Sequence, residues 1–386
     1  MVLNRYLSEY GLITLFVLFF ALDALGKTHI FSKTTTTIPM IIKGIMSGGI
    51  ILTLAALYKN KKVFILLLIL ALFFAFGQWT LEIPFSKKNL IIFGKFITPL
   101  IFFELFNKAE ISKQSAKRLF NVFEWTIVIN SVLIFVGFIF KIKLFESYIG
   151  PRFGYNGLFI TSGVSSYCIL ISLAYFYFSY KRELWKNIKF WIFFVSCFFI
   201  GTKVVYLGIL VFLIATISQL NISKGKYVLL LFATFIGALF YISFYEVGFF
   251  AKLTHEKGIV SSFLSLRNEL FMDRTLPFIQ ENWDWKNYLF GGVSNYDLRS
   301  QMEVIDIFLF WGILGGIIYL YSYGITFVTF KMNKALVLFF VLFSIILLFT
   351  GNFFVYTMTA LFLLILRMQI LHSEIIPKQE SHGNNS

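Results

Sequence analysis

Long, nearly uninterrupted apolar runs dominate this chain of 386 residues. They are about 15–25 residues long, the length a helix needs to cross a hydrocarbon core of about 30 Å. A membrane β-barrel would instead need alternating segments of roughly ten residues, and the runs do not alternate. Composition closes the remaining options. Hydrophobic residues make up 58% of the chain, charged residues 14%, and 51 positions are phenylalanine. One soluble core has no room for so much apolar surface. A soluble enzyme, a disordered chain and a disulfide scaffold are excluded, and the sequence predicts an all-α integral membrane protein.

Twelve spans are expected, over 10–26, 38–58, 62–80, 89–106, 119–140, 157–179, 188–200, 203–220, 227–247, 303–330, 335–350 and 353–369. The seventh and eighth are short and meet at Gly201-Thr202-Lys203, either as two spans with a tight turn or as a broken pair. The first run has no small-residue cleavage site and is read as an anchor, not a signal peptide. The net charge of +15 reflects the positive-inside bias and does not imply a nucleic-acid partner. With the N-terminus inside, eighteen lysines and arginines fall in inner segments, Arg367 among them. Eight fall in short outer loops, including Lys27, Arg152 and Lys203. That asymmetry puts both termini in the cytoplasm.

The chain divides into a bundle over 1–247, a long outer loop over 248–302, a second bundle over 303–372 and a polar tail over 373–386 that is expected to be disordered. Within the loop, Phe263, Leu264, Leu266, Leu270 and Phe271 predict a short amphipathic helix lying on the membrane. Cys168 and Cys197 lie in apolar runs at no zinc or redox spacing.

Charged groups at membrane depth are costly, so their positions carry information. Lys43, Lys95, Arg152 and Lys203 all sit near outer ends of spans. If the bundle closes, they face one cavity suited to a diphosphate or another polyanionic lipid head group. Arg152 stands in the turn Gly-Pro-Arg-Phe-Gly-Tyr-Asn-Gly (150–157), ahead of the small residues Thr161, Ser162, Gly163, Ser165 and Ser166. Arg267, in Ser-Leu-Arg-Asn-Glu-Leu-Phe (265–271), can grip phosphate with both arms of its fork. Arg274 and Arg299 are further diphosphate-binding candidates. Glu303 and Asp306, at i and i+3, share one helical face, where Glu303 is the leading candidate for general base and Asp306 supports it. His255 is an alternative base. Trp283, Trp285, Tyr288 and Tyr296 can stack on sugar rings or form an interfacial aromatic belt. With no P-loop and no clustered His/Cys ligands, no metal, nucleotide or other cofactor is expected.

Three pieces in this order carry a resemblance. They are the outer arginine before a small-residue span, the turn Phe-Ile-Gly-Thr-Lys-Val-Val (199–205), and Leu-Phe-Gly-Gly-Val (289–293) followed by Glu303, Asp306 and Gly312-Ile-Leu-Gly315. With the long outer loop late in the chain, they resemble Wzy-type O-antigen polymerases and the related O-antigen ligases. The resemblance implies a glycosyltransferase of the bacterial inner membrane with a GT-C-like helical fold. It would make polysaccharide for lipopolysaccharide biosynthesis from undecaprenyl-diphosphate-linked repeat units on the periplasmic side, with a chain-length regulator as a possible partner. The lipid diphosphate would be the leaving group, held by Arg152 and Arg267 with Lys203 assisting. Family members often carry arginine where this chain has Lys203. The ligases carry a histidine where this chain reads Ser300-Gln301-Met302-Glu303, which favours polymerase over ligase. Two alternatives remain: a ligase delivering glycan to a lipid A core, and a flippase for the lipid-linked unit.

Overall fold

The computed structural model describes residues 10–32, 38–39, 41–44, 61–84, 86–107, 111–150, 152–218 and 248–380, with isolated positions 227, 234, 237, 241 and 245. Among these the chain is helical, without a strand. The helices are α1 (Leu12–Ser32), α2 (Lys61–Trp79), α3 (Lys87–Asn107), α4 (Lys113–Phe140), α5 (Ser162–Tyr180), α6 (Ile188–Ser196) and α7 (Lys203–Ser218). Four short helices follow, α8 (Phe249–Leu264), α9 (Arg267–Leu270), α10 (Leu276–Asn282) and α11 (Trp285–Phe290). The chain ends in α12 (Glu303–Phe327), α13 (Lys334–Phe349) and α14 (Thr357–Glu380). Among the described residues six helices, α1 to α5 and α12, are long and apolar enough to cross a membrane. Four shorter apolar helices lie at Ile188–Phe199, Lys203–Thr216, Lys334–Phe349 and Thr357–Ser373. The expected spans 38–58 and 227–247 fall almost wholly outside the described residues.

The core forms around α14. Six consecutive residues, Leu361 to Leu366, are buried, so this helix is apolar on every side and enclosed by others. It packs against α5, α3, α4 and α1. Phe362 meets Phe16 at 5.6 Å and Phe123 at 5.1 Å between ring centroids. On α2, by contrast, Phe64, Ile65, Leu68 and Leu72 form an exposed stripe, the pattern of a helix facing lipid. Between α6 and α7 the chain makes a hairpin: Phe190 and Phe194 pack against Phe212 at 5.7 and 6.0 Å. The seventh and eighth segments are therefore two helices joined by a tight turn.

Several expectations are corrected. Residues 157–161 are not helical, because Thr161 caps α5 by accepting the Val164 amide at 3.3 Å. The amphipathic helix through 263–271 is broken. Ser265 and Leu266 both take left-handed backbone (φ 54° and 66°). The Leu266 amide donates to the Ser261 carbonyl at 2.9 Å and the Ser265 amide to the Ser262 carbonyl at 3.2 Å. These two bonds form a glycine-free Schellman cap that ends α8. At the C-terminus, α14 continues to Glu380, past the tail boundary at 373, since each added residue extends a helix already nucleated. Lys27, expected in an outer loop, and Arg367, counted on the inner side within the expected span 353–369, are both fully buried. Arg367 donates to the Thr326 carbonyl at 2.9 Å and the Phe103 carbonyl at 3.1 Å. Those carbonyls lie near the C-terminal ends of α12 and α3, where a cation is favoured by the helix dipoles.

Candidate functional site

At one end of the bundle the loops 141–161, 197–202, 265–302 and 350–356 interlock. The Tyr155 amide donates to the Phe199 carbonyl at 2.8 Å, and the Ser147 hydroxyl to the Ile200 carbonyl at 3.0 Å. Gly201 (φ 72°) lies so close to the neighbouring backbone that an added methyl would stand 2.7 Å from the Gly154 Cα. That approach, open only to glycine, sets the Arg152 turn against the start of α7. A second close approach joins Gly291 to Gly312, whose left-handed backbone kinks α12. The opposite end carries other contacts, Arg118 to Tyr10 at 3.1 Å and Lys189 to Glu124 at 3.0 Å.

The interlock gathers Arg152, Lys203 and Arg267, which the sequence separates widely. Phe250 is the floor beneath two of them: its ring lies 4.6 Å from the Arg152 guanidinium and 3.7 Å from the Lys203 ammonium. The Tyr148 ring stacks on Arg152 at 3.8 Å. Burial holds the Arg152 guanidinium below its usual pKa; the nearby Tyr148 opposes this and the Arg267 charge adds to it. Burial likewise lowers Arg267, against the raising influence of Tyr167, Tyr148, Asp306 and Glu303. Tyr148 itself is pushed up by burial and drawn down by Arg152 and Arg267. Both guanidiniums stay cationic.

The three cations differ in what they touch. Arg267 donates one bond, to the Phe349 carbonyl at the end of α13, at 2.9 Å. Its Nε, like that of Arg152, is buried without a hydrogen-bond partner, and among the described residues no carboxylate pairs with either arginine. Lys203 donates to the Ser262 carbonyl, and to the Phe263 carbonyl at 3.1 Å. It therefore caps the C-terminus of α8, just ahead of the Schellman turn that delivers Arg267.

The carboxylates also divide. Glu303 is buried, and its two oxygens accept the Phe353 and Phe354 amides, each at 2.9 Å. It clamps the 350–356 loop. Asp306 accepts the Ser300 amide and hydroxyl on Oδ1, both at 2.9 Å, while its buried Oδ2 has no hydrogen-bond partner among the described residues.

The remaining candidates are spread around this end. Lys95 lies within electrostatic reach of Arg299, Lys43 and Asp23. Lys43 is ion-paired with Asp23 of α1, and Arg299 donates to Asn352 Oδ1 at 3.2 Å and to the Tyr296 carbonyl at 3.1 Å. Arg274 is exposed on the π-turn at Phe271–Thr275, away from any hydrogen bond or ion pair with described residues. Trp283 donates to the Gly292 carbonyl at 2.9 Å and is structural, whereas Trp285 and Tyr288 are exposed. Tyr296 is buried beneath Arg299, which stacks on it at 4.8 Å. His255 lies 3.3 Å from the Tyr245 carbonyl. The sequence reading missed Tyr148 and Phe250. Tyr148 lies four residues before Arg152 and was findable; Phe250 reaches the site only through the fold.

Among the described residues no group of three or more His, Cys, Asp or Glu stands ready for a metal. Fold and site define an all-α membrane protein with a cationic site at one end. Comparison of the chain with models of protein families, with curated proteins and with solved structures finds no match.

Proposed function

We propose that this protein polymerises undecaprenyl-diphosphate-linked oligosaccharide repeats into O-antigen polysaccharide. The reading takes the chain as a twelve-span, GT-C-like glycosyltransferase of the bacterial inner membrane, with both termini cytoplasmic and the cationic end periplasmic. One observation carries it: Arg152 and Arg267, 115 positions apart, converge half-buried, with unpartnered Nε groups and, among the described residues, no carboxylate in an ion pair with either. Burying uncompensated charge is expensive, so the pair suits an anion that arrives from outside. Two planar forks fit the oxygens of a diphosphate.

In this mechanism an acceptor sugar hydroxyl attacks the anomeric carbon of the donor glycan. The bond from that carbon to the diphosphate oxygen breaks, and Arg152 and Arg267 hold the charge that develops on the leaving lipid diphosphate. The hydroxyl proton passes to a carboxylate. Asp306 suits this role better than Glu303, because one of its oxygens is fixed and the other is unpartnered. Lys203 positions Arg267, and Arg299 and Lys95 add positive field.

Deleting the gene tests the reading. Lipopolysaccharide capped with a single repeat supports polymerisation. Lipopolysaccharide bearing no repeat at all points to the ligase. A purified protein that moves the lipid-linked unit across a bilayer without lengthening glycan points to the flippase.

A further inference from the structure

An apolar cavity of about 260 Å³ lies between α5, α7 and α13. Leu170, Gly208, Phe212, Ala215, Leu342 and Ile346 line it, and Lys334 stands at its far end. On α7, Gly208 lets the Leu170 side chain of α5 pack directly against the helix, and Ala215 lines the cavity nearer its far end. On the other side α13 packs mainly against α12 and leaves the gap open. Leu338, on the rim, is 48% exposed, so the cavity opens sideways.

Its upper end lies under the arginine pair. Gly208 is five residues below Lys203 on α7, roughly 7.5 Å along the axis. Ile346 is three residues below Phe349, whose carbonyl holds Arg267, roughly 4.5 Å. From Ile346 to Lys334 the groove follows α13 for roughly 18 Å, more than half of a hydrocarbon core of about 30 Å. Open to the bilayer, a groove of this kind is filled by a hydrocarbon chain, whose contacts with the apolar lining supply dispersion energy.

We infer that this groove holds the hydrocarbon chain of the same lipid whose diphosphate sits on Arg152 and Arg267. The inference rests on the proposed function for the head group and adds the path of the tail. Cation pair above and apolar channel below match the two halves of one polyprenyl diphosphate. A chain already in the bilayer gains little hydrophobic free energy on entering, so the benefit is contact and alignment. The tail anchors the diphosphate at a fixed depth below the arginines.

The test uses the full-length protein in phosphatidylglycerol nanodiscs with undecaprenyl diphosphate carrying a diazirine in its isoprenoid chain. Irradiation should label α7 and α13, around Val211, Ala215, Leu338 and Leu342. Unlabelled undecaprenyl diphosphate should abolish the adduct, and added phosphatidylglycerol should leave it. Ala215→Trp and Leu342→Trp, which fill the groove, should weaken binding of undecaprenyl diphosphate by about tenfold. Binding of inorganic pyrophosphate should stay unchanged, which also reports that the variants fold. Adducts elsewhere, displacement by phosphatidylglycerol, or full affinity in both tryptophan variants would overturn the inference. Failure of the head-group reading looks different: pyrophosphate and lipid would bind Arg152→Ala and Arg267→Ala as they bind the wild type.

Discussion

Replacing Lys203 with methionine separates a cap from a phosphate ligand. The substitution keeps the apolar stem and removes the ammonium that binds the Ser262 and Phe263 carbonyls. The Ser262 carbonyl keeps the Ser265 amide, so one carbonyl is orphaned, at about 1–3 kcal/mol. Loss of a cation at a helix C-terminus costs about 0.3–1 kcal/mol, and loss of the Phe250 contact about 0.5–1 kcal/mol. The desolvation cost of the lysine disappears and offsets part of this. A net local loss of about 2 kcal/mol corresponds to roughly 30-fold easier opening of the turn. Amide hydrogen exchange measures it. The Ser265 and Leu266 amides should exchange about 30-fold faster, while α14 stays protected. Lys203→Arg should behave like the wild type, because a guanidinium reaches the same carbonyls. Unchanged exchange at 265–266, or acceleration spread evenly over the bundle, would refute the capping argument.

Other consequences are equally direct. Gly201→Ala drives a methyl into the Gly154 backbone at a left-handed position; thermal unfolding in detergent should report a loss of about 2–4 kcal/mol. Gly163→Ala, whose methyl meets only Thr161 Oγ1 at 3.9 Å, should leave stability unchanged. Arg367→Met removes the cation joining α3 and α12, and should lower stability by about 3 kcal/mol with pyrophosphate binding intact. Asp306→Asn should slow glycan elongation by about 100-fold or more without loosening the 350–356 loop. Glu303→Gln should loosen that loop, seen as faster exchange at Phe353 and Phe354.

The fold class was readable because apolar runs of spanning length admit few structures. The positions of Arg152, Lys203 and Arg267 near one end of the bundle were readable too, since a topology that alternates span by span brings their loops to one side. What each cation does there was not. Lys203 acts on the Ser262 and Phe263 carbonyls at the end of α8, and the helix ends there because Ser265 and Leu266 adopt left-handed backbone without a glycine to announce it. Lys27 reads as a loop lysine, yet it is buried and donates to the Gly157 carbonyl at 2.6 Å. Arg367 reads only as a cation at the inner end of the span 353–369, because hydropathy registers a charge but not the helix ends that receive it. Glu303 and Asp306 share a helical face as their spacing requires. Only tertiary structure gives one of them to two amides and leaves the other with an unpartnered oxygen.

The central claim is that Arg152 and Arg267 together bear the charge of a departing lipid diphosphate. Purified protein in liposomes, supplied with undecaprenyl-diphosphate-linked repeats and EDTA but no nucleotide, puts it to the most direct test. The wild type should build a glycan ladder. Arg152→Ala and Arg267→Ala should each slow elongation by about 100–1,000-fold, the double variant should be little worse than either, and lysine at either position should restore only part of the rate. Full-length ladders from both alanine variants would contradict the account.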